Sequence, residues 1–227
     1  MKRFVLIDTA AIPDDGGALC LFTYGDDFVI KIQGGNGNQL MNTRMHGSED
    51  ALAAIPCKRI AQRPSPRVLI GGLGMGFTLA SALKHLGGDA EVQVAELVPG
   101  VIEWNRGPLG EKAGMPINDP RTRVLRSDVA DILRDEPQGF DAILLDVDNG
   151  PEGLTRKSNS WLYSSTGLDA CARALRPKGI LAVWSASADR TFSQRLIKSG
   201  FKAEEVQVFA HGDLGTRHTI WIAENRS

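Results

Sequence analysis

The chain has 227 residues, 42% hydrophobic and 23% charged, with 26 Lys+Arg against 27 Asp+Glu and a formal net charge of -1. Normal apolar content with little net charge excludes intrinsic disorder, and scattered basic residues leave no electrostatic footprint for nucleic acid or an anionic membrane. Its apolar runs fall short of the ~20 residues that span a bilayer, and Met1-Lys2-Arg3 leads into a strand-like FVLID rather than a signal-peptide core, so the expectation is a cytoplasmic protein with a small-molecule partner. FVLID (4–8), ALCLFTY (18–24) and DFVIKIQ (27–33) predict short strands separated by the turn-forming PDDGG and GDD, a small antiparallel β unit. GGNGN (34–38) predicts a loop, and Ser48-Glu49-Asp50 opens an Ala/Leu-rich helix that ends before Pro64. RPSP (63–66) reads as a hinge, dividing the chain into an N-terminal β unit with its helix (1–62) and a main domain (63–227).

From Arg67 onward, apolar β-rich runs alternate with helical stretches, which is the signature of βαβ units and a parallel sheet buried on both faces. Strands are predicted at 67–71, 91–97, 121–126, 140–146, 179–185, 203–209 and 217–223, with helices at 75–86, 98–106, 128–134, 165–175 and 189–199. The last two strands follow each other through AHGDLGT without a helix, which implies a closing hairpin and one antiparallel strand at or near the end of the sheet. The fold class is therefore α/β and Rossmann-like, and seven strands with a terminal hairpin resemble the class I S-adenosylmethionine-dependent methyltransferases. Cys20, Cys57 and Cys171 are odd in number and far apart, as suits reduced thiols. His46, His85, His211 and His218 show no metal-ligand spacing, so no metal is expected.

The strongest local signal is Gly71-Gly72-Leu73-Gly74-Met75-Gly76, between the first strand of the alternating region and its first helix. Glycines there let the backbone approach a ligand, because no Cβ intervenes. Gly72, Gly74 and Gly76 are spaced G-x-G-x-G rather than the G-x-G-x-x-G of dinucleotide sites, and no Gly-Lys-Ser/Thr follows as in a P-loop. Glu96, about twenty residues on at a strand end, is placed to accept hydrogen bonds from a ribose diol. Asp128 either faces an adenine amino group or caps the helix that follows it. Asp146, after the fourth strand, should face the same crevice, and strand alternation puts Asp148 on its side. Two carboxylates over one cavity suit a cationic amine, and one can serve as general base; the bland alternative is an Asp-Asn-Gly-Pro turn.

Taken in order, LIGGLGMG, VAELVPGVIEWNR, DPRTRVLRSDVADIL, FDAILLDVDNGPEGL and LRPKGILAVWSA resemble the spermidine synthase family of aminopropyltransferases over residues 65–185. The resemblance implies that Glu96 binds ribose, Asp128 lies near adenine and Asp146 deprotonates the attacking amine. It also implies a homodimer. The family's glycine-loop acid, which holds the aminopropyl amine of decarboxylated S-adenosylmethionine, is matched here by Gly74. Glu49, in His46-Gly47-Ser48-Glu49, echoes a polyamine-seating glutamate. Trp161 and Tyr163 in NSWLYSS have two readings, a wall or lid of the acceptor pocket and core or dimer packing.

The leading expectation is an aminopropyltransferase that uses decarboxylated S-adenosylmethionine and an amine acceptor. A small-molecule methyltransferase using intact S-adenosylmethionine is the alternative, because Gly74 removes a negative charge that would repel the methionine carboxylate. A non-catalytic nucleoside-binding protein is the third reading.

Overall fold

The computed structural model describes residues 3–13, 17–34, 39–147, 157–211 and 214–226. It holds two sheets. The first is antiparallel throughout, in the order β1 (Phe4–Ala11), β2 (Ala18–Tyr24), β3 (Asp27–Ile32) and β4 (Gln39–Asn42). β4 is absent from the sequence expectation, because QLMN is only four residues long and follows a glycine-rich segment with no alternation to announce it.

α1 (Gly47–Ile60) leads to the second sheet and lies against α2 (Phe77–His85), joined by Ser81 Oγ donating to the Asp50 carbonyl at 2.8 Å. That sheet has seven strands: β5 (Arg67–Gly71), β6 (Glu91–Ala95), β7 (Thr122–Leu125), β8 (Phe140–Leu145), β9 (Leu175–Ser185), β10 (Phe201–His211) and β11 (Leu214–Asn225). Their spatial order is β10-β11-β9-β8-β5-β6-β7. β5 to β9 pair in parallel, whereas β11 runs antiparallel to both β9 and β10, so the expected closing hairpin is present. All six residues of β8 are buried, as a strand covered on both faces requires. α3 (Pro99–Arg106), α5 (Val129–Asp135), α6 (Ser165–Ala174) and α7 (Arg190–Lys198) fall within a residue or two of their predicted spans. α4 (Pro108–Lys112) is a short turn of helix that the sequence reading does not anticipate.

The chain runs outward from β5 through β6 to β7 and then returns to place β8 on the other side of β5. This reversal opens a crevice beyond the carboxyl ends of β5 and β8, where open α/β sheets bind ligands. The small sheet closes over it. Gly100 on α3 lies so close to β1 that a Cβ there would come within 2.3 Å of the Ala10 Cβ, and Trp104 Nε1 donates to Asp8 Oδ2 at 2.8 Å. At the other ends of the strands, buried Asp141 accepts from Arg63 Nη1 at 2.8 Å, Arg176 Nη1 at 2.7 Å and the Arg67 N–H at 2.9 Å. The predicted hinge is thereby fixed to the sheet.

Candidate functional site

The glycine loop bridges β5 and α2 with Gly72, Gly74 and Gly76 at φ of +89°, +50° and +83°. A side chain at position 72 is excluded twice over, by that positive φ and by a Cβ position only 2.5 Å from the Asp146 carbonyl oxygen. Asp146 returns the contact, its N–H donating to the Gly71 carbonyl at 3.0 Å. Buried Asn105 on α3 steadies the loop by donating from Nδ2 to the Gly74 carbonyl at 2.9 Å.

Two cavities flank this loop. The first, about 170 Å³, is lined by Gly72, Gly74, Glu96, Asp128 and an apolar wall that includes Ile12, Leu19, Leu97 and Val129. Glu96 lies one residue past β6 and accepts from the Leu73 N–H at 2.9 Å and the Val98 N–H at 2.7 Å. Burial pushes its pKa up, partly offset by these backbone donors. Each carboxylate oxygen carries a second lone pair, so two amides leave capacity for a diol. Asp128 caps α5, as one of its two readings expected, by accepting from the Ala130 N–H at 2.9 Å, and it also lines the cavity. The buried carboxylate, glycine backbone and apolar wall fit a nucleoside.

The second cavity, about 260 Å³, is lined by Glu49, Gly74, Thr78, Asp146, Trp184 and His218 among others. Asp146 lies on the wall of both cavities. Loss of bulk water, reinforced by the negative charge of Glu49, pushes its pKa up to about 7, against a smaller opposing effect of the Thr78 hydroxyl, which donates to Oδ2 at 2.9 Å. Burial likewise raises the Glu49 carboxyl, opposed by the Ser48 hydroxyl donating at 2.6 Å. Burial lowers the pKa of His218.

Some expected residues lie elsewhere. Gly76 lines neither cavity; its role is the loop, where a Cβ would come within 2.8 Å of Asn105 Oδ1. Trp161 and Tyr163 also line neither. Tyr163 is buried and packs edge-on against Phe192, and the half-buried Trp161 lies under the Arg134 guanidinium at 4.2 Å. Asp148 is outside the described residues. Thr78, Trp184 and His218 were missed by sequence reasoning. Thr78 had a signal, its place on the first turn after a glycine loop; Trp184 and His218 on strands look like core residues. Among the described residues, no cluster of three or more His, Cys, Asp or Glu side chains could hold a metal ion, and no helix is long and apolar enough to cross a membrane.

Polyamine aminopropyltransferase 1 of Streptomyces coelicolor is 30% identical over 153 residues, covering 64% of this chain and 28% of that protein. The polyamine aminopropyltransferase of Mycobacterium tuberculosis is 33% identical over 123 residues, 53% of this chain and 23% of its own. The chain therefore spans about a quarter of the length of these two relatives. Among solved structures, a spermidine synthase in complex with the transition-state analogue AdoDATO superposes with a TM-score of 0.76 at 20% identity, over 97% of this chain and 73% of that one. Thermotoga maritima spermidine synthase gives 0.74, also at 20% identity, over 97% and 72%. The family model of the spermine/spermidine synthase domain matches residues 28–204, a stretch that holds the glycine loop, Glu49, Glu96, Asp128 and Asp146, and the chain belongs to that family.

Proposed function

We propose that the protein transfers an aminopropyl group from decarboxylated S-adenosylmethionine to an amine acceptor. The observation that carries this reading is the position of Asp146 on the wall shared by a nucleoside-shaped cavity and an acidic one. Glu96 holds the ribose diol, Asp128 and the apolar wall flank the adenine, and Gly72 and Gly74 allow close approach of the loop backbone. Glu49 and Asp146 attract a protonated amine. The donor supplies an electrophilic carbon bonded to a sulfonium.

The acceptor arrives as an ammonium and passes one proton to Asp146. Its freed lone pair forms the new N–C bond as the C–S bond breaks, the bonding electrons returning to sulfur to leave neutral methylthioadenosine. Alkylamines titrate near ~10.4, so a carboxylate raised to about 7 is a better matched proton acceptor than one near the usual ~3.9. Asp148 is proposed as a second carboxylate toward the amine. We also place the protein in the cytoplasm as a homodimer; the unpaired edge strand β1, with Phe4, Val5, Leu6 and Ile7 all about half exposed, supports the dimer.

Release of methylthioadenosine from decarboxylated S-adenosylmethionine plus putrescine or another primary amine tests the activity. Asp146→Asn is expected to lower kcat by about 10²–10⁴-fold while methylthioadenosine binds within threefold of wild type. Unchanged turnover in that variant would remove Asp146 from the role of base.

A further inference from the structure

The acidic cavity has one charged pole. Among the described residues only two carboxyl groups line it, Glu49 and Asp146, and the charge of Glu49 reaches Asp146, so they act on the same end of a ligand. The opposite wall is built by the strands beyond β8. β9 pairs with β8 with Val183 opposite Leu145, and β11 pairs with β9 with Ile220 opposite Trp184. His218, two residues from Ile220, is the diagonal neighbour of Trp184. At ~4.8 Å per strand, Trp184 on β9 stands about 5 Å and His218 on β11 about 10 Å across the sheet from β8.

That wall carries no carboxylate among the described residues. It carries the rings of Trp184 and His218, 4.8 Å apart and tilted by 34°. Trp184 Nε1 and His218 Nδ1 are buried and have no hydrogen-bond partner among the described residues. An unmet buried donor is costly, and indole N–H can only donate, so what completes it must accept. Burial holds His218 toward its neutral form, which offers one donor and one acceptor. A second ammonium brings donors and no lone pair, and finds no counter-charge on this wall among the described residues. A hydroxyl accepts from Trp184 and either accepts from or donates to His218. Both nitrogens are covered, so their engagement by a ligand oxygen requires the two rings to part.

On the aminopropyltransferase reading, we infer that the acceptor is a monoamine whose far end carries an uncharged oxygen, an amino alcohol in class, with Trp184 and His218 as the residues that select it. The transfer step is the one given above, with the hydroxyl unchanged.

The test compares 4-amino-1-butanol, 1,4-diaminobutane and butylamine as acceptors by methylthioadenosine release. The expected kcat/KM for the amino alcohol exceeds that for the diamine at least tenfold, the scale of one well-made hydrogen bond. Trp184→Phe is expected to cut the ratio of amino alcohol to butylamine about tenfold, and His218→Phe to lower it as well; a purely structural role moves both amines together. Preference for the diamine, or a ratio that neither variant moves, overturns the inference and leaves aminopropyl transfer standing. If no amine releases methylthioadenosine, the transfer reading fails, and binding then decides the acceptor class. The chain has 4 tryptophans, so the indole N–H resonance lost in Trp184→Phe identifies Trp184, and the three that stay in place report that the variant is folded. A shift of that resonance by 4-amino-1-butanol and not by 1,4-diaminobutane supports the inference; no shift, or an equal one, rejects it.

Discussion

An ionised Asp146 is held against the preference of its surroundings, and this gives the residue opposite effects on activity and on stability. Its folded pKa of about 7 lies above the ordinary 3.8. The stabilisation associated with its bound proton is therefore fully present below about pH 3.8 and is lost as the pH rises to about 7. Base catalysis needs the other form, so kcat/KM should rise with pH through an apparent pKa near 7. Asp146→Asn, neutral at every pH, should raise Tm relative to wild type at pH 8, by ~2–4 °C for each kcal/mol relieved, with a smaller gap at pH 5. A thermal melt series over that range checks it, and an equal Tm difference at both pH values would contradict the assignment.

How legible each residue was depended on whether its neighbours in the chain were also its neighbours in space. Glu96, Asp128 and Asp146 follow strand ends, and parallel strands bring such ends to one edge, so position along the chain translated directly into position in the crevice. Trp161 and Tyr163 follow Asp146 closely in sequence, but the chain turns them toward α5 and α7, against Arg134 and Phe192. Trp184 and His218 escaped notice for the opposite reason. On strands, cavity-facing and core-facing residues share the same alternation, and Trp221, fully buried, has the same local signature as Trp184.

At the scale of elements, the seam between α3 and β1 sets how the small sheet covers the nucleoside cavity. Ile12 and Leu19 reach that cavity from the small sheet, and Glu96, Val98 and Val101 reach it from β6 and α3. Gly100→Ala inserts a methyl where only 2.3 Å separates it from Ala10 Cβ, so β1 must shift. The expected cost is about 1–3 kcal/mol of stability, with methylthioadenosine affinity weakened about tenfold or more. Calorimetric titration of the variant with methylthioadenosine reads this, and wild-type affinity would show that the small sheet does not shape the nucleoside site. The elements themselves were legible wherever apolar runs were long. β9 is the exception: it begins at Leu175, through a Pro177–Gly179 stretch that reads as a turn, because its start pairs with Phe140 across an irregularity in the ladder.

At the scale of the whole molecule, the matched domain and the superposed structures account for the sheet order, while the proposed homodimer rests on β1. Four consecutive half-exposed apolar residues on an unpaired edge form a surface that a second copy can cover. Leu6→Lys places a charge on that edge and should convert the proposed dimer to a monomer in light-scattering chromatography while leaving the melting of a dilute sample little changed. A wild-type chain that elutes as a monomer at high concentration would rule out the proposed pair.

The contact between Gly72 and the Asp146 main chain has a consequence for how this scaffold can change. The glycine loop and Asp146 are joined backbone to backbone, so on the proposed reading donor recognition and proton transfer form one rigid block in which neither half tolerates independent revision. The wall from β9 to β11 shares none of that constraint. Libraries confined to Trp184, Ala186, Thr216 and His218 can therefore be searched for new acceptors without disturbing the block that performs the transfer.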